Sequence, residues 1–143
     1  MKLVVDASVA LKWFFRERGD EADLAPALAL LRGVQEDRVT LHQPPHFVAE
    51  VSAVLASQSS SPRAAHASLR DLLDIEMQIV ESEALYARAM SLAARYGHHL
   101  FDTLYHAVAF EAGDAVLVTA DVRYARKAGI EGRIVRLADF MAG

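Results

Sequence analysis

Four acidic residues, Asp6, Glu50, Asp102 and Asp121, sit where a folded chain would put them to chemical use. Asp6 closes the run Leu3-Val4-Val5 and is followed at once by the helical pattern Ala7-Ser8-Val9-Ala10-Leu11-Lys12-Trp13. Asp121 lies in the same setting, between Val116-Leu117-Val118-Thr119-Ala120 and Val122-Arg123-Tyr124-Ala125. At either position a helix cap would explain the acid, and so would a ligand at the carboxyl edge of a sheet, where open parallel sheets bind. Asp102 opens a helical pattern in which Phe101, Leu104, Tyr105 and Val108 form one apolar stripe, and a first-turn acid also suits the positive end of a helix dipole. Glu50 is harder to explain structurally. It falls three residues after Phe47 and four before Val54, along an apolar helix stripe, where a carboxylate costs free energy unless it is paired or bound to a metal.

Acids from four separate segments, converging on one sheet edge, would form an all-oxygen ligand set. Such a set suits Mg2+ or Mn2+ rather than zinc, which prefers histidine and thiolate. Two such ions can stabilise both the attacking and the leaving oxygen of a phosphodiester. The expected reaction is hydrolysis of a nucleic-acid strand.

Short β-branched runs at 3–6, 39–42, 78–80, 115–119 and 134–137 read as strands, and every gap between them carries helical spacing. Parallel strands need crossover connections, so this alternation predicts an α/β fold, a three-layer α/β/α sandwich around a five-stranded, mainly parallel sheet. Pro44-Pro45 can end the second strand and open a helix through about residue 56, and Ser61-Pro62 and Ser82 are start signals for the next two. Gly97, Gly113 and Gly129 offer helix stops. The serine-rich stretch 57–62 reads as a loop between helices.

The 143 residues fit one domain, 1–143, and 53% apolar against 24% charged residues provides for a core. The absence of cysteine excludes a disulfide framework, a thiolate zinc site and a cysteine nucleophile, and points to a reducing cytoplasm. No stretch approaches the length of a membrane span. A net charge of −4 argues mildly against a simple nucleic-acid coat protein. It does not argue against a nuclease whose bound cations reverse the local field.

Other residues carry weaker signals. Among six histidines, His42 and His46 are separated by the two prolines, and His98-His99 with His106 has no metal spacing, so solvated or packing roles are favoured. Trp13-Phe14-Phe15 points in several directions on a helix, which favours core or partner packing over base stacking. Lys12, Arg16, Arg18, Arg123, Arg126 and Lys127 follow two of the acids and could hold RNA phosphates, with Lys12, Arg16, Arg123 and Arg126 as the candidate contacts.

Taken together, Val4-Val5-Asp6-Ala7-Ser8-Val9-Ala10-Leu11-Lys12-Trp13, the Glu50 helix, Phe101-Asp102-Thr103-Leu104-Tyr105-His106-Ala107 and Val118-Thr119-Ala120-Asp121 resemble the four acidic motifs of PIN domains, most closely those of VapC-type toxins. The resemblance spans essentially the whole chain. It implies a Mg2+- or Mn2+-dependent endoribonuclease, usually a homodimer, held inactive by a cognate antitoxin that often reaches the acidic pocket with a basic side chain. Asp6, Glu50, Asp102 and Asp121 would ligate metal or orient its water, with Ser8 and Thr119 as supporting hydroxyls. Two other readings compete: a phosphatase or phosphotransferase with Asp6 as nucleophile, weakened because Ser8 stands where many such enzymes carry a second Asp, and a non-catalytic binding scaffold.

Overall fold

Five short strands pair into one sheet, every pairing parallel, with the most deeply buried valines and leucines on its central strands. The computed structural model describes residues 1–18 and 21–140. In chain order the strands are β1 (Lys2–Val5), β2 (Thr40–Gln43), β3 (Met77–Ile79), β4 (Val116–Thr119) and β5 (Ile134–Arg136). The α-helices are α1 (Ala7–Phe14), α2 (Glu21–Gln35), α3 (Phe47–Gln58), α4 (Pro62–Asp74), α5 (Glu83–Tyr96), α6 (Leu100–Glu111) and α7 (Val122–Ala128). The expected strands are all present, with ends displaced by one residue at most, and the sheet is wholly parallel rather than mainly so.

The spatial order is β3-β2-β1-β4-β5. The chain therefore winds outward in one direction through β1, β2 and β3, then crosses back to β4 and winds the other way. Right-handed crossovers place the helices of the two halves on opposite faces. In keeping with this, α1, α2, α3 and α4 pack among themselves, α5 packs with α6 and α7, and α1 and α6 both lie on β1 and β4. Val4, Val5, Val9, Phe47, Val51, Tyr105, Val108 and Val118 are fully enclosed between the layers, each such side chain contributing roughly 1.5–3 kcal/mol of hydrophobic stabilisation.

The reversal point lies between β1 and β4, where Val5 is in register with Val118. Two strands that part company there leave a crevice beyond their carboxyl ends. On the other side of β1, the backbone ladder to β2 is completed by a side chain. The buried Gln43 amide donates to the Val5 carbonyl at 2.7 Å, and its Oε1 accepts the Val5 N–H at 2.9 Å. The Gln43 carbonyl meanwhile accepts the Val80 N–H at 2.9 Å. Pro44-Pro45 then turns the chain away into α3.

The helix starts fall where expected, but α3 runs on to Gln58 and Pro62 already opens α4, so the loop expected over 57–62 is reduced to 59–61. Ser61 and Ser82 cap α4 and α5 by accepting the Ala64 and Leu85 N–H groups, and Gly97 ends α5 in the left-handed region at φ 59°. Gly129 is not a left-handed stop. It stays right-handed and leads into a 3-10 turn, Gly129–Glu131, that ends at Gly132 with φ 81°. No helix among the described residues is long and apolar enough to cross a membrane.

Candidate active site

Asp6 leaves β1 at the crevice and caps α1, its Oδ1 accepting the Val9 N–H at 3.4 Å. Two hydroxyls hold the carboxylate from either side: Ser8 donates to Oδ1 and Thr119, at the end of β4, donates to Oδ2. Thr119 Oγ1 also accepts the Asp121 N–H at 2.9 Å, and Ser8 Oγ accepts the Ala120 N–H at 3.3 Å. This net ties the ends of β1 and β4 together. Burial pushes the Asp6 carboxyl up to about 6, opposed by the Ser8, Thr119 and Val9 hydrogen bonds and assisted by the Asp121 charge.

Asp121 caps α7 by accepting the Tyr124 N–H at 3.0 Å. Asp102 stands in the first turn of α6, and Glu50 in the first turn of α3. The buried face of α3 is Phe47, Val51 and Leu55, so Glu50 lies on the neighbouring row with His46 rather than inside the stripe as the spacing suggested. Its Oε1 accepts a hydrogen bond from the Tyr105 hydroxyl at 3.0 Å. Burial raises the Glu50 and Asp102 carboxyls above the usual range, Asp102 raising Glu50 further and Asp121 raising Asp102. Burial likewise raises the Tyr105 hydroxyl, with the negative charges of Glu50, Asp6 and Asp102 adding to it. The four acids thus act on one another in a continuous group.

Histidine enters this group, which the spacing did not indicate. His98 Nε2 lies 3.5 Å from Asp102 Oδ2 and 3.6 Å from Asp121 Oδ2, and one ligand atom from each of the three residues falls within 4.8 Å of the others. Its ring packs on Tyr124 at 4.8 Å between centroids, and its Nδ1 faces Lys127 Nζ at 3.5 Å. His46 Nε2 lies 3.6 Å from Glu50 Oε2. The packing expectation describes His106, which is buried with its ring nitrogens 2.7 Å from the Tyr124 hydroxyl and 2.8 Å from the Gly132 carbonyl oxygen, and His42, which is also buried. His98 and His46 pack as well, on Tyr124 and on Phe101 and Tyr105 respectively, while each also faces an acid of the group.

Among the described residues, no lysine or arginine forms an ion pair with any of the four acids. Carboxylates grouped without a paired lysine or arginine fit a divalent cation, and Asp102, Asp121 and His98 each offer one ligand atom within 4.8 Å of the others, two oxygens and a nitrogen. Of the candidate phosphate contacts, Lys12 shares a depression with Ser8 while pairing with Asp23 at 3.9 Å. Arg123 and Arg126 are exposed on α7, and Arg16 lines a different depression with Asp71, Asp74 and Glu76. Trp13 is buried with its indole N–H on the Ala27 carbonyl at 2.9 Å, and Phe14 and Phe15 pack against the core, as expected.

The model of the PIN domain matches residues 3–130. This chain belongs to the PIN-domain family. No curated protein sequence matches it. Among solved structures, this PIN domain is similar to PAE2754 from Pyrobaculum aerophilum, at 18% identity over 96% of this chain and 90% of that one, with a TM-score of 0.67. It is similar also to VapBC2 from Rickettsia felis, solved bound to a DNA fragment from their promoter, at 15% identity over 95% and 97%, TM-score 0.67. A third is VapC20 of Mycobacterium tuberculosis, described as a toxin that cleaves the sarcin-ricin loop, at 17% identity over 87% and 93%, TM-score 0.60. At these identities the likeness is one of fold.

Proposed function

We propose that this PIN domain, residues 1–143 as one unit, is a Mg2+- or Mn2+-dependent endoribonuclease and the toxin of a toxin–antitoxin pair. The observation that carries the reading is the grouping of Asp102 and Asp121 about His98, linked through Thr119 to the hydroxyl-held Asp6, with no lysine or arginine paired to Asp6, Glu50, Asp102 or Asp121 among the described residues. That VapC20, of similar fold, is a sarcin-ricin loop cleaving toxin is consistent with it. The cognate antitoxin would present a basic side chain to the same acids, and the toxin would be a homodimer in the cytoplasm.

A bound divalent cation would neutralise the acids, polarise the scissile phosphate and activate a water for in-line attack. The chain's own contribution is to fix the ligands. Ser8, Thr119 and the Val9 N–H hold Asp6 in one orientation, so its oxygens need little rearrangement to bind. Tyr105 does the same for Glu50. His98 stands between Asp102 and Asp121. Lys12, beside Ser8, and Arg123 and Arg126 on α7 would hold the strand by its phosphates; Arg16 faces acids of another depression and is the weakest of the four candidates.

The test is cleavage of total RNA by the purified protein with Mg2+ or Mn2+, beside Asp6→Asn and an EDTA control. Discrete, metal-dependent fragments missing from the mutant are expected. Intact RNA together with phosphate release from small phosphoesters would replace the reading with the phosphatase one. Intact RNA without metal binding would leave a binding scaffold.

A further inference from the structure

We propose that Phe101 is a stacking platform for a nucleobase of single-stranded RNA at the mouth of the carboxylate site, an inference that rests on the ribonuclease reading above. The sequence places Phe101 in an apolar stripe with Leu104, Tyr105 and Val108. Those three are 0–3% exposed, whereas Phe101 is 51% exposed. It is the only large aromatic side chain so exposed among the described residues. In the Trp13-Phe14-Phe15 run, the other aromatic surface the sequence offers, Trp13 is buried and Phe14 and Phe15 are half-buried against the core.

A single exposed apolar residue ordinarily needs no explanation. Phe101 is distinguished by how it is held. Its ring lies 5.1 Å from the His46 ring at 37°, and 4.8 Å from the His99 ring at 70°. Its backbone is fixed by the same two histidines: His46 Nε2 donates to the Phe101 carbonyl at 2.8 Å, and the Phe101 N–H donates to His99 Nδ1 at 3.0 Å. With Nδ1 accepting, the His99 proton sits on Nε2, a donor beside the ring. The ring is also next in sequence to Asp102, and the His46 that flanks it lies 3.6 Å from Glu50. A base stacked there would bring its own phosphate towards the acids.

Single-stranded RNA is recognised largely through unstacked bases laid on aromatic faces, and such stacking tolerates any base because every base has a π-face. A platform that is already immobilised loses little side-chain freedom on binding.

The experiment uses the full chain carrying Asp6→Asn, so that the strand survives, with Mg2+ and a short single-stranded RNA containing 2-aminopurine, whose fluorescence falls on stacking. Adding Phe101→Ala should weaken binding about 10-fold, the scale of one lost base–aromatic stack, and abolish the quench. Phe101→Tyr should restore both, and Phe101→Leu should restore neither. Thermal melting of each variant confirms that the fold is kept. If Phe101→Ala binds and quenches like its parent while the protein with Asp6 intact cuts the same strand, the platform is refuted and the ribonuclease stands. If the protein neither cuts nor binds RNA, both fall together.

Discussion

Replacing Asp6 with Asn should stabilise the metal-free protein at neutral pH. A carboxyl raised from 3.8 to about 6 binds its proton more tightly in the folded than in the unfolded chain. Folding is therefore favoured while Asp6 is protonated, and this advantage is lost as pH rises from about 4 through about 6. The difference between the two values corresponds to about 3 kcal/mol at pH 7, before discounting for partial exposure of the side chain. Asn keeps the shape and cannot ionise, so a gain of about 1–3 kcal/mol is expected, or roughly 3–9 °C in melting temperature for a chain of this size. Calorimetry in EDTA across pH 4 to 8 reads it: the two melting curves should coincide near pH 4 and separate as pH rises. Saturating Mg2+ should reverse the order, because only the wild type regains the lost free energy by binding the ion. A mutant no more stable than wild type at pH 7.5 in EDTA would refute the claim that burial of the Asp6 charge dominates its environment.

Two further perturbations probe the supports of the site. Thr119→Val removes a hydroxyl that lowers the Asp6 carboxyl and orients it, so Mg2+ affinity by titration calorimetry should fall about 10-fold or more; an unchanged affinity would show that Asp6 does not need β4 to hold it. His106→Leu deprives both the Tyr124 hydroxyl and the Gly132 carbonyl of their buried partner, and urea unfolding should show a loss of about 2–4 kcal/mol. A loss of only a few tenths would mean that water replaces the ring.

The strands and most helix starts were legible because each depends on neighbours in sequence: a β-branched run, a serine before a helix, an acid that caps the helix after a strand. Cap and site had competed as explanations for Asp6 and Asp121. The structure shows the caps, since Asp6 accepts the Val9 N–H and Asp121 the Tyr124 N–H, and a cap uses one carboxylate oxygen of each and leaves the second to serve the proposed site. What the sequence hid is contact made across the fold. His98 precedes α6 rather than lying on it, so its spacing from Asp102 signals nothing, and it reaches Asp121 only because α5 packs against α7. Tyr105 looked like core and is core, yet its hydroxyl emerges at Glu50. Phe101 shares the period of a buried stripe but sits on the first turn of α6, ahead of the run 103–109 that is buried throughout.

The Gln43 side chain sets a narrow chemical alphabet at its position. It meets both hydrogen-bonding groups of Val5, one residue before Asp6, with a donor and an acceptor that share a single planar carbon. Only an amide side chain offers that pair, and asparagine is one methylene short of the reach. Glutamate would present two acceptors to one donor, and leucine would leave an N–H and a C=O buried and unanswered. A residue that touches no substrate is thereby nearly as constrained as the acids themselves, and an error there would surface as a misplaced carboxylate on the neighbouring strand.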